Sequence, residues 1–264
     1  MTEPWLRGLR CLSPSSLNLW REDRAAWAVR YVLGVSDYST SPAAHRGTAV
    51  EAGIVHGGLH PDAAPDECAR MAVTCLVQAL GRRDEALEDL SRASTTHGVP
   101  ALRTMGAGPA VAAQVLVKQD VPGLPLPILG YIDLLCARAS VDVKSSVRCW
   151  RGTADEDELL QMAVYASLTE RPAKLLYVGR DGACVVDGAE PFGSSWRTAL
   201  ELAEEVGEFL RSCGSATAEE VVAQAGSPCS DDSWTWHDAA VEAWERACGR
   251  PFPDFEADSR LVIG

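Results

Sequence analysis

Three features of this 264-residue chain predict an α/β fold, a central mixed β-sheet flanked by helices with an added helical layer at the C-terminal end. Between Ile128 and Ser145, two apolar stretches separated by a short turn read as a strand hairpin. On either side of it, helix, strand and helix signals alternate. From Gly193 onward the pattern is helical almost throughout.

The bulk properties bound the function. Hydrophobic residues at 47% and charged residues at 23% are ordinary for a soluble globular protein. No apolar run approaches the ~18 residues of a membrane span, and MTEPWLRGLR lacks an apolar signal core, so a cytoplasmic protein without membrane contact is expected. One domain over 1–264 is expected, with its core at about 12–190 and a helical extension at about 191–264. Nine cysteines without tight pairs fit reduced thiols better than a disulfide framework.

The net charge of −13 argues at first against a polyanionic partner. Its distribution weakens that objection. Residues 1–60 carry six arginines against five acids, and 61–150 carry nine bases against ten acids. Residues 151–264 carry nine bases against 22 acids, so the acidity lies away from the hairpin.

In chain order, Ser13 is an N-cap and Pro14 a first helical position, followed by Leu17, Trp20 and Trp27 on a helix running to about Leu33 and ended by Gly34. Asp37 to Ala44 reads as a polar loop, and the chain turns helical from about Ala44 through His56. Pro61 to Leu90 reads as one or two helices with a core stripe of Cys68, Met71, Cys75, Leu76 and Leu80. Ser91 to Pro109, rich in Ser, Thr, Gly and Pro, reads as a loop. Val111 to Val121 is a strand, and PGLPLP connects it to the hairpin. An acidic helix follows from about Asp155 to Thr169, its acids placed where the macrodipole favours them. Lys174 to Gly179 and Cys184 to Asp187 are strands joined at Arg180-Asp-Gly182. Helices are then expected at Trp196–Leu210, Ala216–Ala225 and Asp238–Cys248, with an irregular tail from Pro251.

The hairpin carries the chemistry. Ile128 to Cys136 is apolar except for Asp133. In the second strand, Val141 and Val143 share one face and Asp142 and Lys144 the other. Pairing brings Asp133 near Asp142, and two carboxylates beside a lysine suit a hard divalent cation and its water. An acid-x-Lys triplet alone is weak: three lysines among 37 acids give roughly 0.4 chance matches, so context must decide. Gln161 and Tyr165, four apart, share a helical face.

That context is GYIDLL, then VDVKSS, then QMAVY, which together resemble the PD-(D/E)XK nuclease superfamily, in particular its RecB-like and phage exonuclease-like branch. The resemblance implies a restriction-endonuclease-like core over about residues 12–190. It also implies a DNA substrate and a role in DNA recombination or repair. The segment Arg46-Gly47-Thr48 is similar to one in which the fifth position from the glycine is His or, in phage-type relatives, Glu; here it is Glu51. By itself Glu51 reads as a solvated helical acid, and this context promotes it to a ligand. His45 and His56 are not expected to be ligands.

The implied site holds one or two Mg²⁺ or Mn²⁺ ions on Glu51, Asp133, Asp142 and the carbonyl of Val143. Lys144 orients or deprotonates water, and Gln161 and Tyr165 position the water or a phosphate. Arg46, Ser145, Ser146 and Arg148 are the implied DNA contacts. Products would be a 5′-phosphate and a 3′-hydroxyl. A structure-specific or restriction-type endonuclease is the alternative enzyme, and a non-cleaving DNA-binding or assembly subunit the alternative outside enzymes.

Some relatives hold an iron–sulfur cluster on four cysteines. Cys11, Cys213, Cys229 and Cys248 fall in the corresponding regions, but the last three are 16 and 19 residues apart and no cluster is expected. Phage-type relatives close rings around DNA, so a homo-oligomer or a recombination partner protein is implied. Trp234, Trp236 and Trp244 are either anchors of such an interface or the core of their own helical layer.

Overall fold

The computed structural model describes residues 9–35, 41–150, 152–231, 235–253 and 255. Its backbone gathers into two compact units, one of Ser39–Lys118 with Gly130–Thr198, the other of Met1–Tyr38, Gln119–Leu129 and Ala199–Gly264.

The sheet has five strands in sequential order: β1 (Ala110–Gln119), β2 (Ile128–Cys136), β3 (Ser140–Ser145), β4 (Ala173–Gly179) and β5 (Gly182–Ala189). β2 and β3 pair antiparallel, β3 and β4 parallel, and β4 and β5 antiparallel. The parallel step needs a crossover, supplied by α6 (Glu156–Thr169). Asp155 caps α6 in a reciprocal box with Glu158. The sheet is therefore mixed and flanked by helices, as the alternating signals predict.

One sheet face is covered by α3 (Pro42–Leu59), α4 (Pro65–Leu80) and α5 (Glu85–Thr104). Val50, Ile54, Cys68, Val99 and Leu102 from these helices bury against Leu134, Val141, Leu176 and Val178 of the sheet. The intervening strand positions face the other way, toward α6, as the bond between Tyr177 and Glu158 shows.

Two expectations in this unit are corrected. Ser91 to Pro109 is not a loop, because α5 continues to Thr104 with Pro100 inside it. Its small residues pack rather than turn: Ser91, Ser94 and Thr95 are fully buried. A Cβ on Gly98 would lie 2.6 Å from Ile54 and 2.9 Å from Val178, so glycine lets the helix settle on α3 and the sheet. α3 also begins earlier than expected, at Pro42 capped by Ser41; the polar loop before it lies partly outside the described residues.

In the other unit, the single helix expected from Ser13 to about Leu33 is two, α1 (Pro14–Glu22) and α2 (Arg24–Tyr31). Asp23 ends one and caps the other. Its buried carboxylate accepts from Ala26 N at 3.0 Å, Cys229 N at 2.8 Å and Trp236 Nε1 at 3.0 Å. Helix α7 (Ser194–Cys213) runs into this unit, which also holds α8 (Ala218–Ala225) and α9 (Asp238–Cys248).

Trp20 and Trp27 meet edge to face at 5.0 Å, and Phe209 lies 5.1 Å from Trp20. Trp236 and Trp244 are 5% and 0% exposed, so the core reading of these rings holds and the interface reading does not; Trp234 lies outside the described residues.

Candidate active site

The site is built where β2 and β3 stop pairing. Leu135↔Ser140 and Leu134↔Val141 are in register. One step further, the N–H of Val143 donates instead to Oδ2 of Asp133 at 2.8 Å. β3 continues beside β4 to Ser145, so Asp142 and Lys144 stay rigidly held after the hairpin has parted. Asp133 thus supplies the bond that a ladder carbonyl would otherwise make, and its carboxyl is fixed beside Asp142.

Lys144 Nζ lies 2.8 Å from Asp142 Oδ2 and donates to Gln161 Oε1 at 2.8 Å. Gln161 Nε2 donates to Asp142 Oδ1 at 3.1 Å and to the Tyr165 hydroxyl at 2.8 Å. The i, i+4 spacing of Gln161 and Tyr165 thus becomes one network with the acid and the lysine. Gly130 makes room for it, since a Cβ there would come within 2.7 Å of the Tyr165 ring.

Glu51, on α3, lies beside Asp133 and accepts from the side-chain amide of Gln114 on β1. Gln114 has a left-handed backbone, φ 51°, in the middle of a strand. That conformation is costly for any residue but glycine.

Burial dominates the electrostatics. Desolvation, with Asp142 and Glu51 nearby, pushes Asp133 up to about 8. Glu51 is raised by the same burial and by Asp142. Asp142, 4% exposed, is raised by desolvation in spite of Lys144. For Lys144, burial alone would lower the pKa, but Asp142 overrides it and the net shift is upward. Three acids and one cation in a largely buried site leave an excess of negative charge once all ionise.

The remaining expected residues fall in different places. Arg46 is 6% exposed and donates from Nη2 to the carbonyl of Ser145 at 3.2 Å; its Nε and Nη1 are buried without a hydrogen-bond partner. Ser145 is half-buried, while Ser146 and Arg148 are exposed on the following loop. The His56 ring lies tilted against that of His60, centroids 4.4 Å apart, and faces Glu67. Gln114, Glu158 and Tyr177 were not legible as site neighbours. Tyr177 pairs with Lys144 across the sheet and donates to Glu158, which adds negative charge near Asp142 and Lys144.

The donor set is all oxygen, and the carboxyls' mutual repulsion is what a hard divalent cation relieves. The residue types therefore fit such an ion. Among the described residues, however, no group of three or more His, Cys, Asp or Glu side chains is drawn into a ready-made metal cluster. The carboxyls instead engage Lys144, Gln161, Gln114 and Val143 N–H.

Against known proteins, a family profile of the PD-(D/E)XK nuclease superfamily matches residues 11–254. The chain belongs to the PD-(D/E)XK nuclease superfamily. As members of this superfamily generally use divalent metals, the oxygen-rich site is in keeping with the assignment.

No curated protein matches the chain. Among solved structures, one from Eubacterium rectale, named as a candidate exonuclease, superposes with a TM-score of 0.57 at 12% identity, covering 99% of this chain and 96% of that one. At that identity the likeness speaks for the fold. A second, SSO0001, gives a TM-score of 0.32 at 14% identity over 72% of this chain and 85% of that one, too low to bear on the fold. Among the described residues no helix is long and apolar enough to cross a membrane.

Proposed function

We propose that the protein is a metal-dependent deoxyribonuclease, an exonuclease acting in DNA recombination or repair. The observation that carries this reading is the convergence of Asp133, Asp142 and Lys144 at the parting of β2 and β3, with Glu51 of α3 beside Asp133. The name of the Eubacterium rectale structure supports the exonuclease reading.

In this proposal Glu51, Asp133, Asp142 and the carbonyl of Val143 hold Mg²⁺ or Mn²⁺. The bound cation supplies Lewis-acid stabilisation of charge developing on the scissile phosphate. Lys144 orients the attacking water and offsets negative charge at the same phosphate. Gln161 keeps Lys144 and Asp142 in register, and Tyr165 keeps Gln161 in place. Water adds to phosphorus as the 3′-oxygen leaves with a proton, giving a 5′-phosphate and a 3′-hydroxyl.

One experiment tests the reading. Linear duplex, closed circular duplex and single-stranded DNA are incubated with the purified protein in Mg²⁺ and in EDTA. Digestion of linear or single-stranded DNA in Mg²⁺ alone, with circles intact, is expected. Cleaved circles would make it an endonuclease, and no cleavage of any substrate would overturn the enzyme assignment.

A further inference from the structure

The loop after Lys144 is built with more care than a connection requires. Ser146 N donates to Val178 O at 3.0 Å, Arg180 N to Val147 O at 3.1 Å, and Cys149 N to Asp181 Oδ1 at 2.6 Å. The backbone at Arg148 and Cys149 crosses so close over β4 that a Cβ on Gly179 would lie 2.1 Å from Cys149 N. Four consecutive residues are thereby fastened to β4 and the β4–β5 turn.

Beside Ser146 and Arg148, this fastened loop displays two apolar side chains. Val147 is 64% exposed and Trp150 is 52% exposed. Trp20, Trp27, Trp196, Trp236 and Trp244 are buried, so among the described residues Trp150 is the exposed indole. Its ring is not free to wander: Nε1 donates to Thr153 O at 3.1 Å, and one side lies on Gly152, where a Cβ would meet the ring at 2.4 Å. Restraining a large aromatic costs conformational entropy, and burial recovers little of it for a ring left half in water. An indole backed by Gly152 and half in water can serve as a stacking surface.

Its position says what stacks there. Cys149 Sγ donates to Tyr177 O at 3.7 Å, and Tyr177 is the sheet partner of Lys144. Trp150 thus sits on the loop that leaves β3 directly after Lys144, six residues on from the lysine. Arg148, two residues before it, is exposed and cationic.

We propose that Trp150 stacks on an unpaired base of the DNA strand being cut, making single-stranded DNA or a frayed end the preferred substrate. This rests on the nuclease reading above. A base inside a duplex has both faces covered by its neighbours, so only an unpaired or terminal base can occupy the indole. Arg148 takes the backbone of the same strand, and Val147 shields the stacked base from water.

The test is binding of a fluorescein-labelled 20-mer of thymidylate and of a labelled, relaxed, covalently closed duplex circle that has no ends, with Ca²⁺ replacing Mg²⁺ to prevent cutting. The native protein should bind the single strand more tightly, with quenching of its tryptophan fluorescence. Trp150→Ala should weaken single-strand binding about tenfold or more while leaving duplex binding within about twofold, and Trp150→Phe should restore most of the loss. Equal losses on both DNAs, or native-like single-strand binding by Trp150→Ala, would overturn the proposal while leaving the nuclease reading intact. If Trp150→Ala does not fold, Trp150→Phe and the native quenching decide: native fluorescence unchanged on saturation rejects stacking. A native protein that neither binds nor cuts either DNA overturns both readings.

Discussion

Gln114 donates its side-chain amide to Oε1 of Glu51 from a backbone in the left-handed region. A strand residue ordinarily avoids that conformation. Here it turns the β1 side chain onto an acid of α3, and the bond favours the ionised form of Glu51 against the burial that opposes it. Gln114 is in this sense a positioning residue.

Replacing Gln114 by Leu should weaken divalent-cation affinity about 10- to 100-fold, as loss of an outer partner of a ligand does. Titration of Mn²⁺ by calorimetry and of nuclease rate against Mg²⁺ should agree. Because the cost of φ 51° falls on any side chain, Gln114→Gly should be more stable than Gln114→Ala by about 1 kcal/mol. Equal melting temperatures would show that the strand relaxes instead.

Asp142→Asn and Lys144→Ala should each lower cleavage by at least about a hundredfold, measured at saturating DNA and Mg²⁺. Lys144→Ala also leaves Asp142 buried beside Asp133 without its cation, so it should unfold at lower temperature than the native protein at pH 8. Cleavage by Lys144→Ala near the native rate would remove Lys144 from the mechanism.

Stability without metal should fall as pH rises. Asp133 keeps its proton in the folded chain to about 8, whereas an unfolded aspartate loses it near 3.8. Between these values the folded state binds more protons, so each step up in pH favours unfolding. Glu51 and Asp142 shift in the same direction. In EDTA, the melting temperature should therefore drop from pH 6 to pH 8.5, and Mg²⁺ should raise it more at pH 8.5 than at pH 6. Asp133→Asn should flatten the profile; a native protein already flat in EDTA would contradict the buried-acid account.

How much of this was legible follows from what each pattern depends on. The hairpin and its acids were legible because alternation in a strand is a local rule, and Val141, Asp142, Val143 and Lys144 obey it. Gln161 and Tyr165 were legible for the same kind of reason, the helical repeat. Helix α5 was not: Ser91, Ser94, Thr95, Gly98 and Pro100 are turn-formers by propensity, and only burial against α3 and the sheet makes them helical. Gln114 left no signal because its role depends on a backbone angle that glutamine does not advertise. Asp23 looked like one polar residue in a long helix, while the reason for the break there is Cys229 and Trp236, over 200 residues away.

Asp23→Ala should for that reason cost more than a helix cap. It removes the cap of α2 and leaves the N–H of Cys229 and the buried indole N–H of Trp236 without their acceptor. A loss of about 2–4 kcal/mol in denaturant unfolding is expected, well above the ~1 kcal/mol of an ordinary cap. A loss of ~1 kcal/mol or less would mean that water replaces the carboxylate.

The bond from Val143 to Asp133 also gives the site a native spectroscopic probe. An amide proton shared with a carboxylate oxygen resonates according to the charge on that oxygen. The Val143 backbone signal should therefore move when Asp133 gains a proton and move again when a cation displaces it. An isotope-labelled sample could report the ionisation and loading of the site with no substrate present and no residue replaced.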